Sequence, residues 1–193
     1  MSRLFGVIPA AGGGSRFGAG TPKQYATLAG APLLAKTLER LQAGLPFEQV
    51  VVAIARDDAH YEHVIGARRG VVAIRCGGLT RAATVKGALD ALADRCADDD
   101  WVLVHDAARP CVPKAALLRL VAQLWDDAVG GLLAIPLADT LKRADTMAGV
   151  DADVPRVLAT EDRAGLWRAQ TPQMFRYRVL CQALAGVDDA TVT

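Results

Sequence analysis

The chain is poor in the residues that announce several common chemistries. Its 193 residues include only four cysteines, three histidines and three tryptophans, with 5% aromatic side chains. Cys76, Cys96, Cys111 and Cys181 are widely spaced, with no Cys-x-x-Cys pair, and His60, His63 and His105 form no His-Glu-x-x-His pattern. That spacing excludes a structural or catalytic zinc site and leaves reduced, partly buried thiols as the expectation. No apolar run approaches the roughly 20 residues that span a bilayer. The N-terminal MSRLFGVIPAAGGG carries neither a secretory nor a transit pattern. An excess of one charge is also missing: 22 Lys+Arg against 21 Asp+Glu leave a net +1, too little for a broad basic surface that grips nucleic acid. Hydrophobic residues reach 52%, but 36 residues are alanine, so larger apolar side chains make up about a third of the chain, as in ordinary globular proteins. These absences point to a soluble, cytoplasmic, single-core protein that binds neither nucleic acid nor membrane.

What is present is a rhythm. Leu4–Pro9, Gln49–Ala55, Val71–Arg75, Trp101–His105 and Gly131–Pro136 are short, nearly continuous apolar runs, the pattern of strands covered on both faces. Between them, Leu33–Ala43, Arg81–Ala93 and Lys114–Trp125 repeat apolar residues every three or four positions, as at Leu34, Leu38 and Leu41. Alternating strands and helices predict an α/β fold: a Rossmann-like, three-layer, mostly parallel sheet with right-handed crossovers. After Pro136 the rhythm breaks. The stretch 137–170 has no long helical pattern, and Thr140–Arg143 and Arg156–Thr160 can pair as an extended hairpin. A segment of this length without its own core predicts a protruding arm that reaches another subunit. The expectation is one domain over 1–193 with this arm at about 137–170.

In such a sheet, ligands bind beyond the carboxyl ends of the strands. The first strand runs into Pro9-Ala10-Ala11-Gly12-Gly13-Gly14-Ser15-Arg16-Phe17-Gly18, and Thr21-Pro22-Lys23-Gln24-Tyr25 follows. Consecutive glycines let several backbone N–H groups converge on an anion. Two phosphate motifs fail here. Ala19 stands where a Walker loop needs Lys, and Phe17 where a dinucleotide fingerprint needs its third glycine. What remains is a glycine loop with two cations, Arg16 and Lys23. It can fold over a triphosphate, or it is a glycine-rich turn with solvent-facing charges.

The ordered set Pro-Ala-Ala-Gly-x-Gly-x-Arg, Pro-Lys-Gln-Tyr, Val104-His105-Asp106-Ala107-Ala108-Arg109-Pro110, Asp139-Thr140-Leu141-Lys142-Arg143, Asp162-Arg163-x-Gly165-Leu166-Trp167 and Gln170-Thr171-Pro172-Gln173-Met174-Phe175 resembles the 2-C-methyl-D-erythritol 4-phosphate cytidylyltransferases of the non-mevalonate isoprenoid pathway. Ribitol 5-phosphate cytidylyltransferases share the Pro-Lys-Gln segment. They typically read Ala-Gly-Gly where this chain has Ala10-Ala11-Gly12, and they lack the full His-Asp-Ala-Ala-Arg-Pro string. A third alternative is a catalytically silent nucleotide-binding protein of the same fold.

The resemblance implies that CMP passes from CTP to methylerythritol phosphate with release of pyrophosphate, aided by Mg²⁺ and no organic cofactor. The attacking phosphate is already anionic, so no general base is needed. Arg16 and Lys23 are expected to stabilise the transition state. Ala10, Ala11, Gly12, Gly13, Gly14, Gly77 and Gly78 would surround the nucleotide, with the hydroxyl of Thr84 at the cytosine. Asp106 would face ribose, substrate hydroxyls or metal, its alternative being a turn-forming aspartate, and His105 would be structural. Arg109 and Thr171 are assigned to the second substrate. Thr140 and Arg163 are expected to reach across a homodimer, Arg163 orienting the attacking phosphate. A Ser is commoner at the Thr84 position, and Leu79 replaces a frequently acidic residue. The family also continues past the Asp188–Thr193 stretch with a strand and a helix carrying a phosphate-orienting lysine, which this chain lacks.

Overall fold

A computed structural model describes residues 2–13, 21–145 and 154–186. The chain separates into two compact units, Met1–Leu133 with Thr171–Thr193, and Ala134–Gln170. In chain order the elements are β1 (Leu4–Ala10), a 3₁₀ turn (Lys23–Tyr25), the small hairpin β2 (Thr27–Leu28) and β3 (Ala31–Pro32), α1 (Leu33–Gly44), β4 (Gln49–Ile54) and α2 (Tyr61–Val64). Then come β5 (Val71–Ile74), α3 (Arg81–Asp90), β6 (Trp101–Val104), α4 (Lys114–Leu124), β7 (Gly130–Pro136), β8 (Lys142–Ala144), β9 (Val157–Thr160), β10 (Trp167–Arg176) and α5 (Tyr177–Ala185).

Six strands form one sheet in the order β5-β4-β1-β6-β10-β7. β1 runs parallel to β4 and β6, β4 runs parallel to β5, and β10 is antiparallel to β6. The expected mostly parallel α/β sheet is what forms. Its continuous apolar runs are explained by burial on both faces. Leu4, Ile8, Val50, Val52, Ile54, Trp101 and Leu103 pack on one side with Leu34, Leu38 and Leu41 of α1 and Leu117 of α4. The alternate residues Phe5, Val7, Val51, Ala53, Val102 and Val104 pack on the other with Val85 and Leu89 of α3. Successive strand side chains point to opposite faces, so a strand buried on both has no polar position to spare.

Two expectations change. β7 was expected to be covered on both faces, but it is the edge strand of the sheet, and Leu132 and Ile135 are 41% and 46% exposed. α3 ends at Asp90 rather than Ala93. Beyond it, i→i+3 bonds such as Leu92 N to Leu89 O, 3.0 Å, tighten the chain out of the helix. The sheet also contains β10, which carries Pro172, a residue that cannot donate to a ladder. The ladder with β6 begins just past that proline, at Gln173 opposite Val104.

At the amino end of β6, Asp100 is 2% exposed and fully engaged. Its Oδ1 accepts from the Arg3 backbone N–H at 2.7 Å, and its Oδ2 accepts from Arg3 Nη2 at 2.7 Å and Ala97 N–H at 2.9 Å. Burial alone would raise this carboxyl, but the Arg3 bonds hold it below its ordinary value. The folded carboxyl thus ionises at lower pH than the unfolded one. Its contribution is complete above the unfolded pKa of about 4 and is lost as pH falls through the depressed folded value. Asp100→Ala is expected to cost about 2–3 kcal/mol, read from the urea midpoint at pH 7. Its stability should then fall less steeply than the wild type's below pH 4.

Candidate functional site

The carboxyl end of β1, the amino end of α3 and the turn after β6 enclose a cleft of about 530 Å³. Its walls carry Ala10 to Gly13, Lys23, Gly78 to Arg81, Thr84 and Asp106 to Ala108. Parallel pairing puts these ends side by side: Ala10 of β1 lies opposite Ile54 of β4, and the His105 N–H bonds Val7 O at 3.0 Å just past β6. The cleft therefore lies where strand topology predicts a ligand site.

Most of the nucleotide-loop residues expected from sequence meet here. Ala10, Ala11, Gly12, Gly13, Gly78, Thr84, Lys23 and Asp106 all line the cleft. Gly14 and Arg16 lie outside the described residues, as does the acidic stretch beginning at Asp188. Gly77 is not on the wall but behind it. Its N–H donates to Ile54 O at 2.9 Å, and a Cβ there would stand 2.3 Å from Ala11 Cβ and 2.8 Å from Ile54 O. Glycine at 77 is what lets the segment after β5 pass directly beneath the first loop.

Thr80 and Thr84 lock that segment. Thr80 caps α3, its Oγ1 accepting from Ala83 N–H at 3.1 Å. The Thr84 hydroxyl donates to Thr80 O at 2.9 Å and accepts from Gly78 N–H at 3.1 Å. Thr84 is 3% exposed, so its hydroxyl secures the loop that faces the cleft.

Asp106 is the electrostatic centre. Its Oδ1 accepts from Arg81 Nε at 3.1 Å and Nη2 at 3.0 Å, and its Oδ2 pairs with Arg109 Nε at 2.8 Å. The Asp106 N–H reaches Thr171 Oγ1 at 3.4 Å, which brings Thr171 of β10 beside the turn. Arg81 is the residue sequence reasoning missed. An arginine in the first turn of a helix opposes the helix dipole, and that misfit was the available signal that an anion faces it. His105 is fully buried, and its Nε2 lies 2.9 Å from Arg109 O across the turn. Burial pushes its pKa down. The ring is thus neutral, with Nε2–H donating to Arg109 O, while Nδ1 meets no partner among the described residues.

Thr140 and Arg163 belong to the unit Ala134–Gln170. There β8 and β9 pair antiparallel, Lys142 opposite Thr160, which is the expected hairpin. Lys142 Nζ donates to Thr160 Oγ1 at 2.6 Å, and Arg143 pairs with Glu161. The Arg163 guanidinium donates to Ala138 O. Val157, Leu158 and Trp167 of this unit are each 62% exposed.

The family model of 2-C-methyl-D-erythritol 4-phosphate cytidylyltransferase matches residues 4–193. The protein of that name from Dechloromonas aromatica (strain RCB) is 52% identical over 193 residues, spanning 99% of this chain and 82% of the relative. The one from Laribacter hongkongensis (strain HLHK9) is 52% identical over 194 residues, spanning 100% and 80%. A crystal structure of 4-diphosphocytidyl-2C-methyl-D-erythritol synthase superposes with a TM-score of 0.82 at 36% identity, covering 97% of this chain and 81% of that one. The Francisella tularensis cytidylyltransferase structure gives 0.74 at 34% identity, covering 95% and 77%.

Gly77→Ala would drive a methyl into Ala11 and the Ile54 carbonyl. It is expected to lower the urea midpoint by the equivalent of about 1–3 kcal/mol and to weaken nucleotide binding, as measured by calorimetric titration.

Proposed function

The chain belongs to the 2-C-methyl-D-erythritol 4-phosphate cytidylyltransferase family, and on that premise we propose that its cleft transfers CMP from CTP to 2-C-methyl-D-erythritol 4-phosphate. The products are 4-diphosphocytidyl-2-C-methyl-D-erythritol and pyrophosphate. One observation carries this: a cleft at the carboxyl ends of β1 and β6 with Lys23, Arg81 and Asp106 on its walls, the last two ion-paired. Membership in this family does not favour the ribitol 5-phosphate reading or the silent nucleotide binder.

A phosphate oxygen of the acceptor attacks the α-phosphorus of CTP. The new P–O bond forms as the bond from the α-phosphorus to the bridging oxygen of the β-phosphate breaks, and pyrophosphate carries away the electron pair. The nucleophile is ionised beforehand, so the protein positions reactants and offsets charge rather than moving a proton. Lys23, with Arg16 of the same loop, holds the phosphates. The backbone of Ala10–Gly13 and of Gly78, packed closely because 77 is glycine and held by the Thr84 hydroxyl, frames the nucleoside, with Gly14 next in the chain. Asp106 on the cleft wall, with Arg109 and Thr171 bonded to it, serves ribose and acceptor. Mg²⁺, which ordinarily takes only one or two protein carboxylates together with substrate phosphates and waters, would be held chiefly by the CTP phosphates, with Asp106 joining where its carboxylate exchanges Arg81 or Arg109 for the ion. When bound, the ion neutralises phosphate charge. No organic cofactor is called for, because CTP itself is the activated donor.

We place a second copy of the chain against the unit Ala134–Gln170, making a homodimer. Its Val157, Leu158 and Trp167 are exposed apolar side chains that a partner would cover. Arg163 donates to Ala138 O, and a guanidinium carries five N–H donors, so it can also take an acceptor phosphate bidentately in the neighbouring site, with Thr140 alongside. Among the described residues no helix is long and apolar enough to cross a membrane, and we place the reaction in the cytoplasm.

With CTP and Mg²⁺, pyrophosphate release is expected with methylerythritol phosphate and not with ribitol 5-phosphate; the opposite preference would overturn the assignment. Lys23→Ala and Arg16→Ala should each lower kcat at least about a hundredfold with the fold intact by circular dichroism. If Arg163 serves the partner's site, refolding a mixture of Lys23→Ala and Arg163→Ala proteins, each inactive alone, regenerates one intact site per mixed dimer. About a quarter of wild-type activity should return, and a mixture that stays inactive would refute the crossed arrangement.

A further inference from the structure

The 3₁₀ turn that carries Lys23 is fastened by its other two side chains. Gln24 and Tyr25 are 6% and 4% exposed, and each bonds a different part of the sheet's carboxyl edge. Gln24 Nε2 donates to Ala10 O at 2.7 Å, at the end of β1. The Tyr25 hydroxyl donates to Asp58 Oδ2 at 2.6 Å, in the loop after β4. Asp58 is itself fixed. Its Oδ1 accepts from the backbone N–H groups of His60 and Tyr61 at 2.8 Å each, and its carbonyl accepts from Arg75 Nη1 at 2.6 Å. The His60 ring lies against the Tyr25 ring, centroids 5.4 Å apart. Burial alone would raise the Asp58 carboxyl, but the Tyr25 hydroxyl and the two amides hold it below its ordinary range, so it stays an anionic acceptor at neutral pH. Neither Tyr25 nor Asp58 lines the cleft.

The turn's own backbone supplies little rigidity, with Tyr25 N to Pro22 O at 2.9 Å and Ala26 N to Lys23 O at 3.1 Å. A single side-chain tether, such as Gln24 to Ala10, leaves a turn able to pivot about that point. A second tether on the far side of the turn removes that rotation. A misplacement of about 1 Å at a reacting centre costs up to about a hundredfold in rate, and a fixed cation is worth most when it need not reorganise during the reaction.

We propose that the Tyr25–Asp58 hydrogen bond is a positioning device for catalysis, holding the Lys23 ammonium in its phosphate-binding place from outside the cleft. This rests on the phosphate role proposed above for Lys23. The test is a mutant cycle on CTP-dependent pyrophosphate release. Tyr25→Phe removes the hydroxyl and keeps the ring; Asp58→Ala removes the acceptor and gives a second route should the first variant fold poorly, as thermal unfolding would show. Each is expected to lower kcat about ten- to a hundredfold with KM for CTP changed less than about threefold. Asp58→Asn, which still offers a hydrogen-bonding partner, should recover most of the loss. In a Lys23→Ala background, Tyr25→Phe should cause no further loss, since the group it positions is gone.

The outcomes separate cleanly. If Lys23→Ala is itself as active as wild type, the phosphate role falls and this proposal with it. If Lys23→Ala is impaired while Tyr25→Phe and Asp58→Ala retain wild-type kcat, only the positioning role is overturned. A full additional loss in the Lys23→Ala background likewise overturns it, because the tether then supports the fold rather than the lysine.

Discussion

β1 is enclosed on every side but one. β4 and β6 satisfy both of its edges, and the two hydrophobic layers bury both of its faces. Buried backbone polar groups must be paired, and the ladders do this along the length of the strand. Only at Ala10 does the chain leave the sheet with N–H groups that can turn toward a ligand. The placement of the cleft follows from this. Gly77 must pass beneath Ala11, α3 must begin beside it, and the turn after β6 must close the third side. A chain that buries its central strand so completely confines its polar chemistry to the strand ends.

Within that confined region the balance of charge matters more than its total. The whole chain carries only +1, yet Lys23 and Arg81 stand on the cleft wall and Arg109 braces the Asp106 that pairs with Arg81. A polyanionic substrate needs cations held in place, and long basic side chains lose substantial rotamer entropy when they are fixed. The Asp106 carboxylate holds two arginines without burying either, and the Tyr25–Asp58 contact steadies the turn bearing the lysine. Both carboxylates therefore act on cations at this end of the sheet, one directly and one through a tyrosine.

The parallel strands were legible because burial on both faces writes itself as unbroken apolar runs, and α1 because Leu34, Leu38 and Leu41 keep a helical period. β10 was not, because Arg168, Gln170 and Pro172 interrupt its apolar residues, and its identity as a strand comes from β6 alongside it rather than from its own pattern. The exposure of β7 was equally invisible: a sequence does not say which strand will lie at the edge. At the cleft, the glycine loop and Lys23 could be found because loop glycines and cations have few other uses together. Arg81 could not be read as facing Asp106, 25 positions away, without the fold that joins them. Gln24, Tyr25 and Asp58 carry no local signature at all. Their relation exists only once the loop after β4 returns to the end of β1.

Shifted ionisable groups often mark a catalytic centre, and here several of them stand away from it. Burial holds His105 neutral beneath the Asp106 turn, raises the Tyr25 hydroxyl behind Lys23, and pushes the Cys96 thiol up to about 12 on the α3 side of the sheet. None of the three lines the cleft. The chemistry accounts for this inversion. A reaction that abstracts a proton needs a group tuned near neutral pH, whereas transfer between an ionised phosphate and a triphosphate needs charges that do not change state. A permanently protonated arginine or lysine in a fixed place is the better instrument, and titratable side chains are then free to be buried as struts. Lysine and arginine facing the cleft, with histidine and tyrosine behind them, is the arrangement that a reaction without a proton to move selects.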